Sequence, residues 1–209
     1  MTDATVREEI MTATYEALCE YGYTDLTAQA IADRTDKSKS WLFYHYDSKD
    51  DLVVDFVGFL LERFEARLAE VEDRPPAEQL VAFVDLYLEE PADDRRAFHT
   101  ALLELRAQAP ADERFREQLR ESDDRLRRTL ESVLEDGIEA GQFHDHDVEE
   151  TATLLLATLD GARLRQLTTG REEYLDVKRD AIERIVGTIL TDDAEFPAER
   201  TDVFETSHD

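Results

Sequence analysis

The chain has 209 residues, 51 of them acidic against 24 Lys and Arg, for a formal net charge of -27, an excess unusual for a protein with a polyanionic partner. Cys19 stands alone, which rules out an intramolecular disulfide. No apolar run approaches the ~20 residues that a membrane span needs, so no membrane partner is expected. Gly and Pro are scarce, 7 and 5, and no Val/Ile/Thr alternation of strand type occurs, so an all-α fold is expected. The acidic start Met1-Thr2-Asp3 lacks the apolar core of a signal peptide, which points to a cytoplasmic location.

Thr5–Tyr21 is predicted as the first helix, with Val6, Ile10, Ala13, Ala17, Leu18 and Tyr21 on one stripe and Gly22 at its end. Two short helices follow in Leu26–Tyr46, joined by a tight turn. Thr27 caps the first, whose small apolar face is Ala28, Ala30, Ile31 and Ala32, and Ser38 caps the second. Ser48, with Asp51 three residues on, caps a third helix in the manner of a capping box. Two short helices around such a turn match a helix-turn-helix, whose second helix can enter a DNA major groove.

Charge placement agrees with that reading. Arg34, Lys37, Lys39 and Lys49 outnumber Asp36 and Asp47, and three of the four lysines of the chain fall here, the fourth being Lys178. A solvated face accounts for one lysine and poorly for three in so acidic a chain. Phosphate contact is the natural use of the island, with hydroxyl and aromatic groups interleaved. The predicted DNA-binding residues are Thr27, Lys37, Ser38, Lys39, Ser40, Trp41, Tyr44, His45 and Lys49. Trp41 serves either packing or the groove.

Lys49 to about Glu72 reads as one long helix with Leu52, Val53, Phe56, Phe59, Leu60, Phe64 and Leu68 on its apolar stripe, closed by Pro75-Pro76. Helices are then predicted over Pro76–Glu89, Asp93–Ala109, Asp112–Ala140, Val148–Thr169 and Glu172–Thr191, leaving Asp192–Asp209 as an acidic, disordered tail. His144-Asp145-His146-Asp147 has donors for a divalent ion, but reads better as a polar turn with Asp145 or Asp147 capping the next helix, so no metal site is assigned. No cofactor motif, nucleophile elbow, phosphate loop or paired-cysteine zinc site occurs, and an enzyme is not expected.

The run Leu42-Phe43-Tyr44-His45-Tyr46-Asp47-Ser48-Lys49-Asp50-Asp51-Leu52, with Tyr21-Gly22-Tyr23, Leu26-Thr27, Ile31-Ala32 and Ser38-Lys39 before it, resembles the amino-terminal domain of TetR-type (TetR/AcrR) transcriptional regulators. The run Asp136–Phe143 is similar to the close of a helix in the body of such proteins, and Leu159–Leu164 resembles the BetI-like branch. Asp36 stands where the family has a turn glycine, so a left-handed conformation there would be strained. Phe43 replaces a tyrosine and its phosphate-binding hydroxyl.

The resemblance implies a three-helix DNA-binding domain over 1–48 and a helical-bundle domain for ligand binding and dimerisation over 49–191. It implies a repressor that grips a palindromic operator in double-stranded DNA as a homodimer and is released by a small-molecule effector. Pocket candidates are Phe59, Phe83, Tyr87, Phe98 and Leu102, with His99 as a polar contact, which favour a lipophilic effector; an aromatic stripe at this spacing is also what a plain core requires. Leu155, Leu159, Ala162, Ile182, Ile185, Val186 and Ile189 are the dimer-interface candidates. The acid excess and arginine preference fit a halophilic source, because at about 1 M salt the Debye length falls to roughly 3 Å and distant carboxylates hardly oppose DNA. The alternative is a helical ligand- or partner-binding module that has lost operator binding, for which Asp36, Phe43 and the net charge are the motivation.

Overall fold

The computed structural model describes residues 3–88, 94–170, 184 and 186–191. The described residues hold eight α-helices: α1 Asp3–Tyr21, α2 Ala28–Ala32, α3 Lys39–His45, α4 Lys49–Ala69, α5 Pro76–Leu88, α6 Asp94–Arg106, α7 Glu113–Glu139 and α8 Val148–Thr169. The one β feature among them is an isolated antiparallel bridge between Phe143 and Leu190. The fold is all-α, as composition and periodicity require. Most of the expected helix Glu172–Thr191, with Ile182 and Ile185, and the whole tail 192–209 lie outside the described residues.

Two compact units emerge. The first comprises residues 1–63 and 90–123, the second 64–89 and 124–209. The first closes around Ile10, Met11, Leu18, Ile31, Leu42, Leu52, Phe56, Leu105 and Phe115. The second closes around Leu80, Phe83, Leu130, Leu134, Phe143, Leu155 and Leu159. The helix-turn-helix lies wholly in the first unit, where α1, α4 and α6 brace it.

Local chemistry sets the helix ends. Gly22 takes φ +69, the left-handed conformation that lets α1 stop and the chain turn. Pro76 opens α5, where its missing N–H costs nothing. α4 stops at Ala69, short of the expected Glu72, because the next amides bond three residues back, Glu70 to Arg67 and Val71 to Leu68. Val71 is buried and pins that tighter turn. On α1 the buried stripe also holds Met11 and Thr14, the latter donating its hydroxyl to the Ile10 carbonyl at 2.8 Å. Tyr21 departs from expectation: it is 42% exposed, with the Arg34 guanidinium over its ring at 5.1 Å.

Candidate nucleic-acid interface

The helix-turn-helix is assembled by its caps. Thr27 Oγ1 accepts from the Ala30 amide at 3.0 Å, and Ser38 Oγ accepts from the Trp41 amide at 3.3 Å. Ser48 Oγ accepts from the Asp51 amide at 3.1 Å and donates to the Asp51 carboxylate at 2.6 Å. Each hydroxyl satisfies an amide of an opening helical turn that has no partner within the helix. Between α2 and α3 no residue takes a positive φ, so Asp36 is not left-handed and the strain expected there is absent. Thr35 explains why no glycine is needed: its hydroxyl donates to the Ala32 carbonyl at 3.0 Å and accepts from the Lys37 amide at 3.2 Å.

α3 has two faces. Leu42 is its buried residue and anchors it to the core of the first unit, with Trp41 and Tyr46 packed partly against the same core. Ser38, Lys39, Ser40, Phe43, Tyr44 and His45 are exposed, Tyr44 at 84%. Thr27 is exposed as well, while Lys37 and Lys49 are half-buried. Trp41 therefore packs, yet it keeps part of its ring at the surface, edge-on to His45 with centroids 5.0 Å apart.

The three lysines share one arrangement. Lys37 Nζ lies 5.9 Å from the centroid of Trp41, Lys39 Nζ 5.6 Å from Phe43, and Lys49 Nζ 4.7 Å from Tyr23. A ring attracts the ammonium without neutralising it. Arg34 differs, since its guanidinium is paired with Glu20 and also donates to the Ala30 carbonyl. Of the cationic island predicted from sequence, the lysines have no ion-pair partner among the described residues and the arginine is spent internally.

The remaining candidates fall elsewhere. Phe59, Phe98, His99 and Leu102 belong to the first unit, Phe83 and Tyr87 to the second. Phe59 carries guanidinium groups from Arg7 and Arg63 over its ring at 5.5 and 5.8 Å. Phe83 and Tyr87 stack at 6.3 Å beside Phe64, and the Tyr87 hydroxyl donates to Asp160 at 2.6 Å. In the polar turn before α8, Asp147 supplies the cap by accepting from the Glu150 amide at 2.9 Å, and His146 Nδ1 lies 2.7 Å from the His144 carbonyl. Among the described residues no helix is long and apolar enough to cross a membrane.

Residues 10–56 match the family model described as bacterial regulatory proteins of the tetR family, and residues 76–191 match the carboxy-terminal model of the BetI-type transcriptional repressor. The chain belongs to the TetR family. A TetR transcription regulator from Haloarcula marismortui is 39% identical, with 90% of this chain and all of that one covered at a TM-score of 0.81. The transcriptional repressor AcnR of Corynebacterium glutamicum is 28% identical over 181 residues, 86% of this chain and 92% of that protein. A regulator from Saccharomonospora viridis, crystallised with choline, shares the fold at 24% identity and a TM-score of 0.77 over 90% of this chain and all of that one. TetR-family proteins are transcriptional regulators and not enzymes; they bind DNA operators, dimerise and bind small-molecule effectors. The stretch Leu159–Leu164, which resembles the BetI-like branch, lies within the BetI-type match.

On the TetR body, periodicity alone did not separate the two apolar faces of α8. Leu155, Leu159 and Ala162, with Val186, are buried in the core of their own unit, and Ile189 is partly buried against it. The face turned outward carries Leu154 at 53% exposure, Ala157, Gly161 and Leu164 at 46%. Their spacing of three, four and three residues is that of a helix-pairing seam. The signal was present in the sequence as a second apolar stripe running beside the first.

Proposed function

We propose that this TetR-family protein is a ligand-responsive repressor that holds a palindromic operator as a homodimer and releases it when a small lipophilic effector binds its helical body. One observation carries the reading. Lys37, Lys39 and Lys49 rest on aromatic rings, and none has a carboxylate partner among the described residues, in a chain that carries 51 acidic side chains. Cations kept clear of so much acid are held for an outside anion, and the first residue of α3, Lys39, with Lys37 in the turn before it, offers two of them beside hydroxyl and aromatic groups suited to phosphates and base edges.

The seam on α8 is the surface for the twin. Leu154, Ala157, Gly161 and Leu164 are apolar or small and turned outward, and a β-carbon built on Gly161 meets nothing, so a partner helix has room to approach closely. Two-fold symmetry then sets two copies of α3 on the two halves of a palindrome. Effector binding favours a spacing of the heads that fits the operator poorly and shifts the population off DNA. The acid excess is suited to high salt, where counterion release contributes little and base-edge and apolar contacts carry the specificity.

Genomic fragments that co-purify with the protein supply the duplex for mobility-shift titrations at low and high salt. A sequence-specific complex under at least one condition is the expected result. No such complex under either condition would overturn the reading in favour of a helical module that has lost operator binding.

A further inference from the structure

α3 spans seven residues, Lys39–His45, about two turns, too short to hold its own shape or direction. Leu42 is its buried anchor, and one apolar contact fixes depth better than orientation. The second hold is at its end. Tyr46 caps α3 with an extended backbone and donates its amide to the Leu42 carbonyl at 3.0 Å. Its hydroxyl donates to Asp55 Oδ2 on α4 at 2.5 Å. The Asp55 carboxylate also accepts from Arg7 of α1, at 3.1 Å from Nε and 2.8 Å from Nη2. The other side of the Arg7 fork donates from Nη1 to Glu62 at 2.6 Å.

We propose that Tyr46, Asp55 and Arg7 form a tether that fixes the direction in which α3 is presented to DNA, making Tyr46 and Asp55 positioning residues for operator recognition. The proposal rests on the DNA-binding reading above and adds a group of residues that touch no DNA. A phenylalanine at position 46 would fill the same space, but only a hydroxyl pointing at a fixed acceptor selects one rotation of the helix end. Arg7 in turn holds that acceptor, because a planar fork bonded to two carboxylates leaves the Asp55 oxygens little freedom. Burial by itself would raise the Asp55 carboxyl, and the hydrogen bonds from Arg7 and Tyr46 outweigh it and hold the group below its ordinary range. The acceptor thus stays anionic at neutral pH. Its side chain is 32% exposed, so salt screens this tether less than it would a fully solvated pair.

The test uses the full chain and three variants: Tyr46→Phe, Asp55→Asn and the double. Amide hydrogen exchange on the DNA-free protein reads the tether directly. The last amides of α3 and that of Tyr46 should lose protection about tenfold in each single variant, the worth of one hydrogen bond to a charged group, and no further in the double. Amides in the middle of α1 should not change. Unchanged protection at the end of α3 would overturn the proposal whether or not DNA binds.

With the duplex recovered from genomic DNA, each single variant should bind about tenfold more weakly, and the double no more weakly than either single. Random duplex of the same length should be held as before, since no phosphate-contacting lysine is lost. Equal losses on both duplexes, or losses that multiply in the double, would overturn the positioning role. Arg7→Lys, which keeps the charge and gives up the fork, is the milder variant should Asp55→Asn fail to fold, and it should show the same pattern at smaller size. If the wild-type chain recovers no specific duplex, the DNA-binding reading fails while the exchange measurement still decides the tether.

Discussion

A β-carbon built on Gly137 would lie 2.0 Å from Cδ2 of the Phe143 ring, so that ring occupies the space any other residue at position 137 would need. The ring has nowhere to go. Phe143 is buried in the core of the second unit, its amide donates to the Gly137 carbonyl at 3.0 Å, and it bridges Leu190. Alanine is worth up to ~1 kcal/mol over glycine in an open helix, whereas forcing a methyl into a filled core costs about 1–3 kcal/mol. Gly137→Ala should therefore lower the melting temperature, by roughly 2–4 °C per kcal/mol lost in a chain of this size. Phe143→Ala should cost more, and the two together less than their sum, because the small residue at 143 frees the space. Melting of Gly137→Ala at or above the wild-type temperature would contradict the contact.

Lys49, at the start of α4, and Lys39, at the start of α3, should separate in their effects on DNA. Lys49→Ala is expected to weaken binding about equally across sequences and to reduce the salt slope by about one ion, as loss of a phosphate contact does. Lys39→Ala should do this and also relax base preference by ~1–3 kcal/mol if Lys39 reaches a base edge. Titrations of selected and random duplexes at several salt concentrations measure both quantities. A change of base preference on Lys49→Ala would remove it from the phosphate group.

Sequence left Trp41 between packing and the groove, and in the fold it does pack. Its ring packs in part against the core of the first unit, stands edge-on to His45 at 5.0 Å and carries Lys37 above it at 5.9 Å. Trp41→Ala should lower thermal stability and, under conditions where the protein stays folded, weaken base discrimination by ~1–3 kcal/mol. Trp41→Phe keeps an apolar ring and should restore most of the stability. A variant that loses stability while its base preference is intact would assign Trp41 to packing alone.

What could be read from sequence divides by range. The caps at Thr27, Ser38 and Ser48, the turn at Gly22 and the span of α8 are written in neighbouring residues, and each was legible. The lysine island was legible too, and Trp41 and Phe43 stand four residues beyond Lys37 and Lys39, a spacing open to reading; the ring under Lys49 was not, because Tyr23 is remote from it in the chain. The Arg7–Asp55 pair joins residues 48 apart, and nothing in a single sequence couples them. On α8 the difficulty was different: two apolar stripes run side by side, and periodicity cannot say which faces the chain's own core. At Asp36 the family pattern misled, since Thr35 supplies through its hydroxyl what the glycine supplies elsewhere through its backbone.

That division on α8 can be tested by charge. Leu154→Glu or Leu164→Glu places a carboxylate on the outward seam and should convert a dimer to monomers with helix content unchanged, read by analytical ultracentrifugation and circular dichroism. Leu159→Glu places the same charge in the core of the second unit, where Leu159 is fully buried, and should unfold the protein, since an unpaired buried charge costs several kcal/mol. Intact dimers from both seam variants would move the interface off this face.

Alkali should unfold the protein through two tyrosines of the first unit. Tyr23 is buried, and burial first, then the charge and hydrogen bond of Asp50, push its hydroxyl from 10.0 up to about 12. Tyr46 is pushed up further by burial and by its hydrogen bond to Asp55. A tyrosine with a raised value binds its proton more tightly when folded than when unfolded. Its contribution is therefore complete below the unfolded value, near 10.0, and is lost as pH rises through the folded value, about 12 for Tyr23. Urea midpoints should hold level up to about pH 10 and fall above it, with phenolate absorbance appearing together with loss of helix. Tyr23→Phe and Tyr46→Phe each remove one of the two groups, so each should flatten the alkaline fall even where it lowers stability at neutral pH. A fall of unchanged steepness in both variants would place the titrating groups elsewhere in the chain.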